Sequence, residues 1–192
     1  MMVMLSLLAA VALADVSESQ AKNQKINCVN NLHQIGLAYR VWAGDNGDKY
    51  PMQVSVKNGG AKELVFKGNV AACFQVMSNE LSTPKIVICP ADTSRSAANN
   101  FTTGFDNSKV DYFVGVDADL IRPQMLLSGD DNFAVGGVPV KPGLLVITTS
   151  QPITWTAARH VNQGNIGFAD GQVWQDADDK KLEKLEARLA LP

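Results

Sequence analysis

The chain reads as an α+β protein in which one N-terminal helix packs on a small, mainly antiparallel β-sheet, and three features predict it. Apolar residues recur at spacings of three and four through Ile26, Val29, Leu32, Ile35, Tyr39 and Trp42, with no proline among them. Beyond Pro51 the apolar runs become short and are separated by Gly, Pro, Asn and Asp, the punctuation of strands and turns. Near the C-terminus two alternating segments flank Asp170-Gly171, a dipeptide suited to a hairpin turn.

With 192 residues the chain has the size of one domain and can bury a core without metals or several disulfides. Its 46% hydrophobic and 19% charged residues are ordinary for a globular protein. A net charge of -2 gives no basic surface for nucleic acid, so a nucleic-acid partner is not expected.

Taken in order, the elements begin with an apolar segment, Met1 to Ala14, interrupted only by Ser6. As a helix it would extend ~21 Å, short of a hydrocarbon core of ~30 Å. Two readings follow. In one, Ala12-Leu13-Ala14 is a signal-peptide cleavage pattern before Asp15. In the other, the segment is the lower half of a longer apolar helix that begins upstream of Met1. Both send the chain to the cell envelope; the remaining alternative, a buried core helix of a cytosolic protein, is a less favoured reading of a segment of this length. Asp15 to Lys25 is polar and the amphipathic pattern starts at Ile26. The expected division is therefore an apolar segment and helical stem over residues 1–25 and a globular head over residues 26–192, including the packed half of the helix.

Gly44-Asp45-Asn46-Gly47-Asp48 should stop the helix, with Pro51 preventing its resumption. Ala61 to Leu81 is expected to be helical, ended by Ser82-Thr83-Pro84. Ile86-Val87-Ile88-Cys89 reads as a short buried strand and Ala91 to Lys109 as a long surface loop. Strands are expected at Tyr112 to Val116, Gln124 to Ser128 and Leu144 to Thr149. A hairpin with a two-residue turn should follow over Asn165 to Gln175. Asp178 to Leu191, with Leu182, Leu185 and Leu189 among paired charges, reads as an amphipathic terminal helix.

Three separated segments carry a family resemblance. Cys28-Val29-Asn30-Asn31-Leu32-His33-Gln34-Ile35-Gly36-Leu37-Ala38, with Trp42 and Asp45 to Pro51, comes first; Cys89-Pro90-Ala91-Asp92 is second; His160 followed after nine residues by Asp170-Gly171 is third. Together they resemble prepilin-like proteins of planctomycetes and verrucomicrobia. These are pseudopilins of the type II secretion protein G-like kind with a C-terminal His-x9-Asp-Gly processing-associated motif. The resemblance implies a pilin-like fold and a non-enzymatic structural subunit of a type II secretion or type IV pilus-like envelope filament, anchored in the inner membrane with a periplasmic head. It implies other pseudopilin subunits, the inner-membrane secretion apparatus and, where the full leader exists, a prepilin peptidase as partners. The family's leader, ending in a processed and methylated Phe-Thr-Leu-Ile-Glu site, does not occur here; counted back from Cys28, its glutamate would fall just upstream of Met1. The alternative class is a soluble secreted or surface binding protein with a cleaved signal peptide.

No catalytic residue is expected. His160 with Asp170 lacks a nucleophile elbow, so His160, Asp170 and Gly171 read as a structural motif: glycine supplies positive φ and the histidine bonds backbone or the turn acid. No cofactor is expected beyond calcium, which related pseudopilin heads bind and for which Asp117, Asp119, Asp130 and Asp131 are the candidate ligands. Asp45, Asn46 and Asp48 read as a solvated turn. Three cysteines allow one bridge. Cys73 and Cys89, with 15 residues between them, either form it, at ~3 kcal/mol in the loop-entropy model, or stay as buried thiols; Cys28 is left over. Trp42, Trp155 and Trp174 are assigned to the core.

Overall fold

The computed structural model describes residues 2–177 and 186–192, with side chains from residue 19 onward except that of Asp176. The apolar periodicity forms one helix, α1 (Met2–Asp45). Side chains from 19 to 27 are exposed apart from half-buried Lys25, and Cys28 is the first that is fully covered. From there Leu32, Ile35, Tyr39 and Trp42 continue the buried stripe, as the spacing predicts, with Val29 half-buried at its edge. The stop signal works through the backbone. The N–H groups of Asn46 and Asp48 both donate to the Ala43 carbonyl, at 3.0 and 2.9 Å, and Gly47 and Asp48 take left-handed φ values of 66° and 59°. Among the described residues, no helix is long and apolar enough to cross a membrane.

Three short helices follow, α2 (Lys62–Val65), α3 (Val70–Val76) and α4 (Ser78–Leu81), all inside the stretch expected to be helical. The next expectation fails. Pro84–Val87 is a 3-10 turn rather than part of a strand, because Pro84 opens it, Thr83 caps it by accepting the Lys85 N–H, and Val87 points into the core. Ala91 to Lys109 is irregular apart from a 3-10 turn at Asn107–Lys109, yet Phe101 and Phe105 turn inward and stack edge to face at 5.0 Å.

Among the described residues nine strands make two sheets: β1 (Tyr112–Gly115), β2 (Leu126–Asp130), β3 (Phe133–Val135), β4 (Val138–Pro139), β5 (Gly143–Ile147), β6 (Ile153–Trp155), β7 (Gly164–Phe168), β8 (Val173–Ala177) and β9 (Ala187–Leu191). The larger is antiparallel throughout in the order β5-β9-β1-β2-β7-β8, and the smaller is β4-β3-β6. Helices cover one face of the large sheet, where Tyr112, Val114 and Leu127 join α1 and α3. The small sheet covers the other, where Phe113, Leu126, Ile166 and Phe168 meet Phe133, Ile153 and Trp155. Alternate residues of β1 thus enter different cores, so the strand is buried along its whole length.

The C-terminal helix is corrected in part. Ala187–Leu191 is β9, bonded on one side to β5 and on the other to β1, while residues 178–185, including Leu182 and Leu185, lie outside the described residues. Sheet pairing along both edges overrides a helix-favouring local sequence. The predicted β7-β8 hairpin is present with a longer connection. Gly171 N–H donates to the Phe168 carbonyl at 2.9 Å, Phe168 N–H donates to the Gln172 carbonyl at 2.9 Å, and Gly171 has φ 83°. That is a three-residue loop closed by a glycine bulge, not a two-residue turn.

Candidate functional site

Where the helix meets the head, the structure joins Cys28 of α1 to Cys89 in a disulfide with a Cα–Cα distance of 5.2 Å. Of the alternatives left open, a Cys73–Cys89 bridge or two buried thiols, neither holds for Cys89, and Cys28 is not the odd cysteine. Cys73 is the free thiol, buried in α3 with its Sγ 3.2 Å from the Tyr39 hydroxyl, and burial pushes it up to about 12. The bridge therefore staples α1 to the head. Asn31, almost one turn along α1, adds a hydrogen bond to the Ile88 carbonyl at 3.0 Å.

Around the disulfide lies a buried ionic cluster. Asp111, fully buried at the entrance to β1, accepts the Cys89 N–H at 2.8 Å and Arg95 at 2.8 Å. Arg95 also donates to Asp131 at 2.8 Å, and Arg159, itself 5% exposed, pairs with Asp131 and donates to the Asp111 carbonyl at 3.1 Å. Asp92, from the Cys89-Pro90-Ala91-Asp92 segment, sits 3.9 Å from the Arg159 Nε. Burial pushes Asp111 up to about 6, more than the Arg159 charge and the Arg95 hydrogen bond pull it down. Asp92 ends below its ordinary value: burial raises it, but hydrogen bonds from the Ser94 hydroxyl and N–H, with Arg159, outweigh that.

His160 enters this cluster on a strained loop. His160, Val161 and Asn162 all have positive φ, at 53°, 53° and 60°, and Val161 is 81% exposed, so a branched side chain holds a conformation that ordinarily excludes it. Asn132 ties down both sides of the run. Its Nδ2 donates to the carbonyls of Thr156, Arg159 and Gln163 at 3.3, 3.3 and 3.2 Å. The histidine ring is thereby turned inward, with Nε2 3.2 Å from Cys89 Sγ and 3.5 Å from Asp130 Oδ2. Burial holds His160 below the usual imidazole value against the pull of Asp130, with Arg159 and Lys25 lowering it further.

Asp170 and Gly171 belong to a different contact. Asp170 caps its own turn by accepting the Gln172 N–H at 2.8 Å, and the preceding Ala169 carbonyl accepts from Tyr50 at 3.1 Å and Arg40 at 3.3 Å. His160 bonds neither this acid nor the turn, so one sequence motif performs two jobs: its histidine faces the disulfide, and its Asp-Gly turn docks on α1 and the Tyr50-Pro51 segment.

The four aspartates assigned to calcium do not converge. Asp117 pairs with Arg188, Asp119 with Arg122, and Asp131 with Arg95 and Arg159, while Asp130 accepts the N–H and side-chain amide of Asn165 at 2.8 and 2.9 Å. At Asp117, Asp119 and Asp131 arginines occupy the places a cation would take. Arg95, Arg159, Asp92 and Asp111 were missed as site residues. Asp92 stands in the Cys-Pro-Ala-Asp segment, Arg159 precedes His160 and Asp111 precedes the apolar run of β1, and a charge adjoining an apolar or motif position was the available signal.

Fold and site thus define a mixed protein in which a long N-terminal helix is stapled to a head of helices and antiparallel sheet. No protein-family model matches the chain, and comparison with curated proteins and with solved structures gives no match.

Proposed function

We propose that this chain is a pseudopilin-like, non-enzymatic structural subunit of a type II secretion or type IV pilus-like envelope filament, with its head on the periplasmic side. The observation that carries this reading is α1. One continuous helix of 44 residues, ~66 Å long, contributes to the head core from Cys28 onward, and its described side chains before Cys28 are largely uncovered. A helix that is covered from Cys28 onward and exposed over residues 19–27 suits a subunit whose stem packs against other copies. The covalent staple and the Ala169 contacts to Arg40 and Tyr50 suit it further, since force on the helix would pass directly into the head. Its partners are then further subunits, the inner-membrane secretion apparatus and, on a chain carrying the full leader, a prepilin peptidase.

The test is cross-linking in cells. Lys22→Cys places a thiol on the exposed stem. The filament reading expects cross-linked dimers or higher species in the envelope fraction, lost when residues 2–14 are deleted. Monomer alone, with or without the deletion, overturns it. A second reading, a secreted or surface binding protein, is favoured by one feature: an open polar cleft of about 320 Å³ beside the ionic cluster, with Asp92, Ser94, Arg95, Asn132, Thr156 and Arg159 in its walls. A mature protein starting at Asp15, released from the cell, would support that alternative.

A further inference from the structure

The staple region holds more donor atoms than a disulfide uses. The Sγ atoms of Cys28 and Cys89 and a ring nitrogen of His160 all lie within 4.8 Å of one another. Both cysteines are fully buried and the histidine side chain is 2% exposed. Asp130 stands outside that trio but against its histidine, from where side-chain rotation would bring a carboxylate oxygen to a shared ion. Its Oδ2 is fixed by Asn165 and stands 3.5 Å from His160 Nε2, while its Oδ1, also buried, has no hydrogen-bond partner among the described residues. A buried carboxylate oxygen without a donor carries an uncompensated desolvation cost, and a cation beside it removes that cost.

We propose that, once the Cys28–Cys89 bond is reduced, Cys28, Cys89, His160 and Asp130 bind a thiophilic divalent cation, zinc by preference, in a four-coordinate site closed to solvent. Two thiolates, a neutral imidazole and a carboxylate are a zinc donor set, and four such ligands fill a tetrahedral shell without water. Around one zinc the two sulfurs stand roughly 3.8 Å apart, from a Zn–S length of ~2.3 Å, a separation that side-chain rotation from Cα atoms 5.2 Å apart can reach. The charges agree. Two thiolates and Asp130 supply three negative charges against the nearby Arg159 and Lys25.

The redox step balances with a phosphine as reductant: phosphorus takes an oxygen atom from water and becomes the phosphine oxide, its electron pair breaks the S–S bond, and the water's two protons leave both sulfurs as thiols. Zinc then displaces those two protons to solvent. In either state α1 is tied to the head, by a covalent bond when oxidised and through the ion when reduced. The proposal does not depend on filament assembly.

The experiment uses the full chain, reduced with a phosphine that is then removed under argon, and titrated with Co²⁺ as a spectroscopic probe and with Zn²⁺. The reduced chain is expected to take up one Co²⁺ with the intense visible bands of a tetrahedral thiolate site and to exchange it for zinc, while the oxidised chain takes up none. His160→Ala should weaken binding by more than the roughly tenfold to hundredfold that loss of an outer-shell partner costs, and Asp130→Asn should weaken it by at least about tenfold. Circular dichroism on the same samples separates folding from binding. A folded reduced chain without a cobalt spectrum, a spectrum unchanged by His160→Ala, or a reduced chain that unfolds and is not refolded by zinc would each overturn the site.

Discussion

Arg159 is the residue on which most of the buried charge depends. Almost wholly covered, it faces Asp131, Asp111 and Asp92, so removing it leaves several acids in a low-dielectric pocket without their main cation. Arg159→Met is expected to cost about 3 to 5 kcal/mol in chemical denaturation. Arg95→Met should cost less, because the Arg95 side chain is 25% exposed and water already screens it. His160 gives a pH signature. Its folded value lies below the ordinary 6.5, so the unfolded chain takes up the proton first and stability is lost as pH falls through about 6.5. Asp111, raised to about 6, works in the opposite direction: the folded chain binds its proton first, which adds stability as pH falls from about 6 toward 4. Comparison of wild type with His160→Gln isolates the ring. The gap in melting temperature should narrow in favour of the variant between about pH 7.5 and pH 5.5, and an unchanged gap would mean that the ring titrates alike folded and unfolded. At Gly171 two constraints coincide, a φ of 83° and the Arg40 guanidinium, 2.8 Å from where a Cβ would stand. Gly171→Val should therefore cost about 1 to 3 kcal/mol in backbone strain and also displace Arg40 from the Ala169 carbonyl, visible as a lowered melting temperature.

The disulfide is the link between elements that the sequence was least able to reveal. Cys73 and Cys89 are close along the chain, which makes them natural partners on paper, whereas Cys28 and Cys89 are separated by 61 positions and meet only because α1 lies across the 3-10 turn at Pro84–Val87. Longer loops give larger stabilisation in the loop-entropy model, and Cys28→Ser combined with Cys89→Ser is expected to cost about 4 kcal/mol, read from the shift in denaturation midpoint. Unreduced, denatured wild type should show the single free thiol of Cys73, and modification at Cys28 would contradict the pairing. Elements announced by strong periodicity or turn chemistry were legible: α1, its stop at Ala43 to Asp48, and the β7-β8 hairpin. The small sheet was not read, although Gly136-Gly137, with φ 60° and 79° between paired Val135 and Val138, carried a two-residue hairpin signal. Its strands are only two or three residues long, too short for alternation to emerge. β9 was hidden differently, since the charged residues before it resemble a helix and only its two neighbours in the sheet select the extended form.

At the scale of the molecule the two cores divide the work of stability. The larger takes in α1 from Cys28 onward, and the smaller lies between the two sheets without any residue of the helix. Among the described side chains, none before Cys28 belongs to either core. The cluster around His160 was invisible in sequence for a related reason: its members come from α1, the Cys89 to Arg95 segment, the β1 and β2 strands and the left-handed loop, and only the packed molecule brings them together. It follows that a chain beginning at Ser19 should keep both cores, the staple and the Ala169 contacts. The contact it endangers is Lys25 with Gln163, 2.6 Å apart and half-buried, which stays inside the shortened chain, although fraying of the new terminus could loosen it. Because loosening one part-buried hydrogen bond costs on the order of 1 kcal/mol, the shortened and full-length chains should melt within a few degrees of each other. Their association should differ instead. If residues 2–18 carry the contacts between copies, light scattering should find the shortened chain monomeric and the full chain associated under the same conditions. A large fall in melting temperature on shortening would place those residues in the folding core and remove the basis for treating the N-terminal part of α1 as an assembly element.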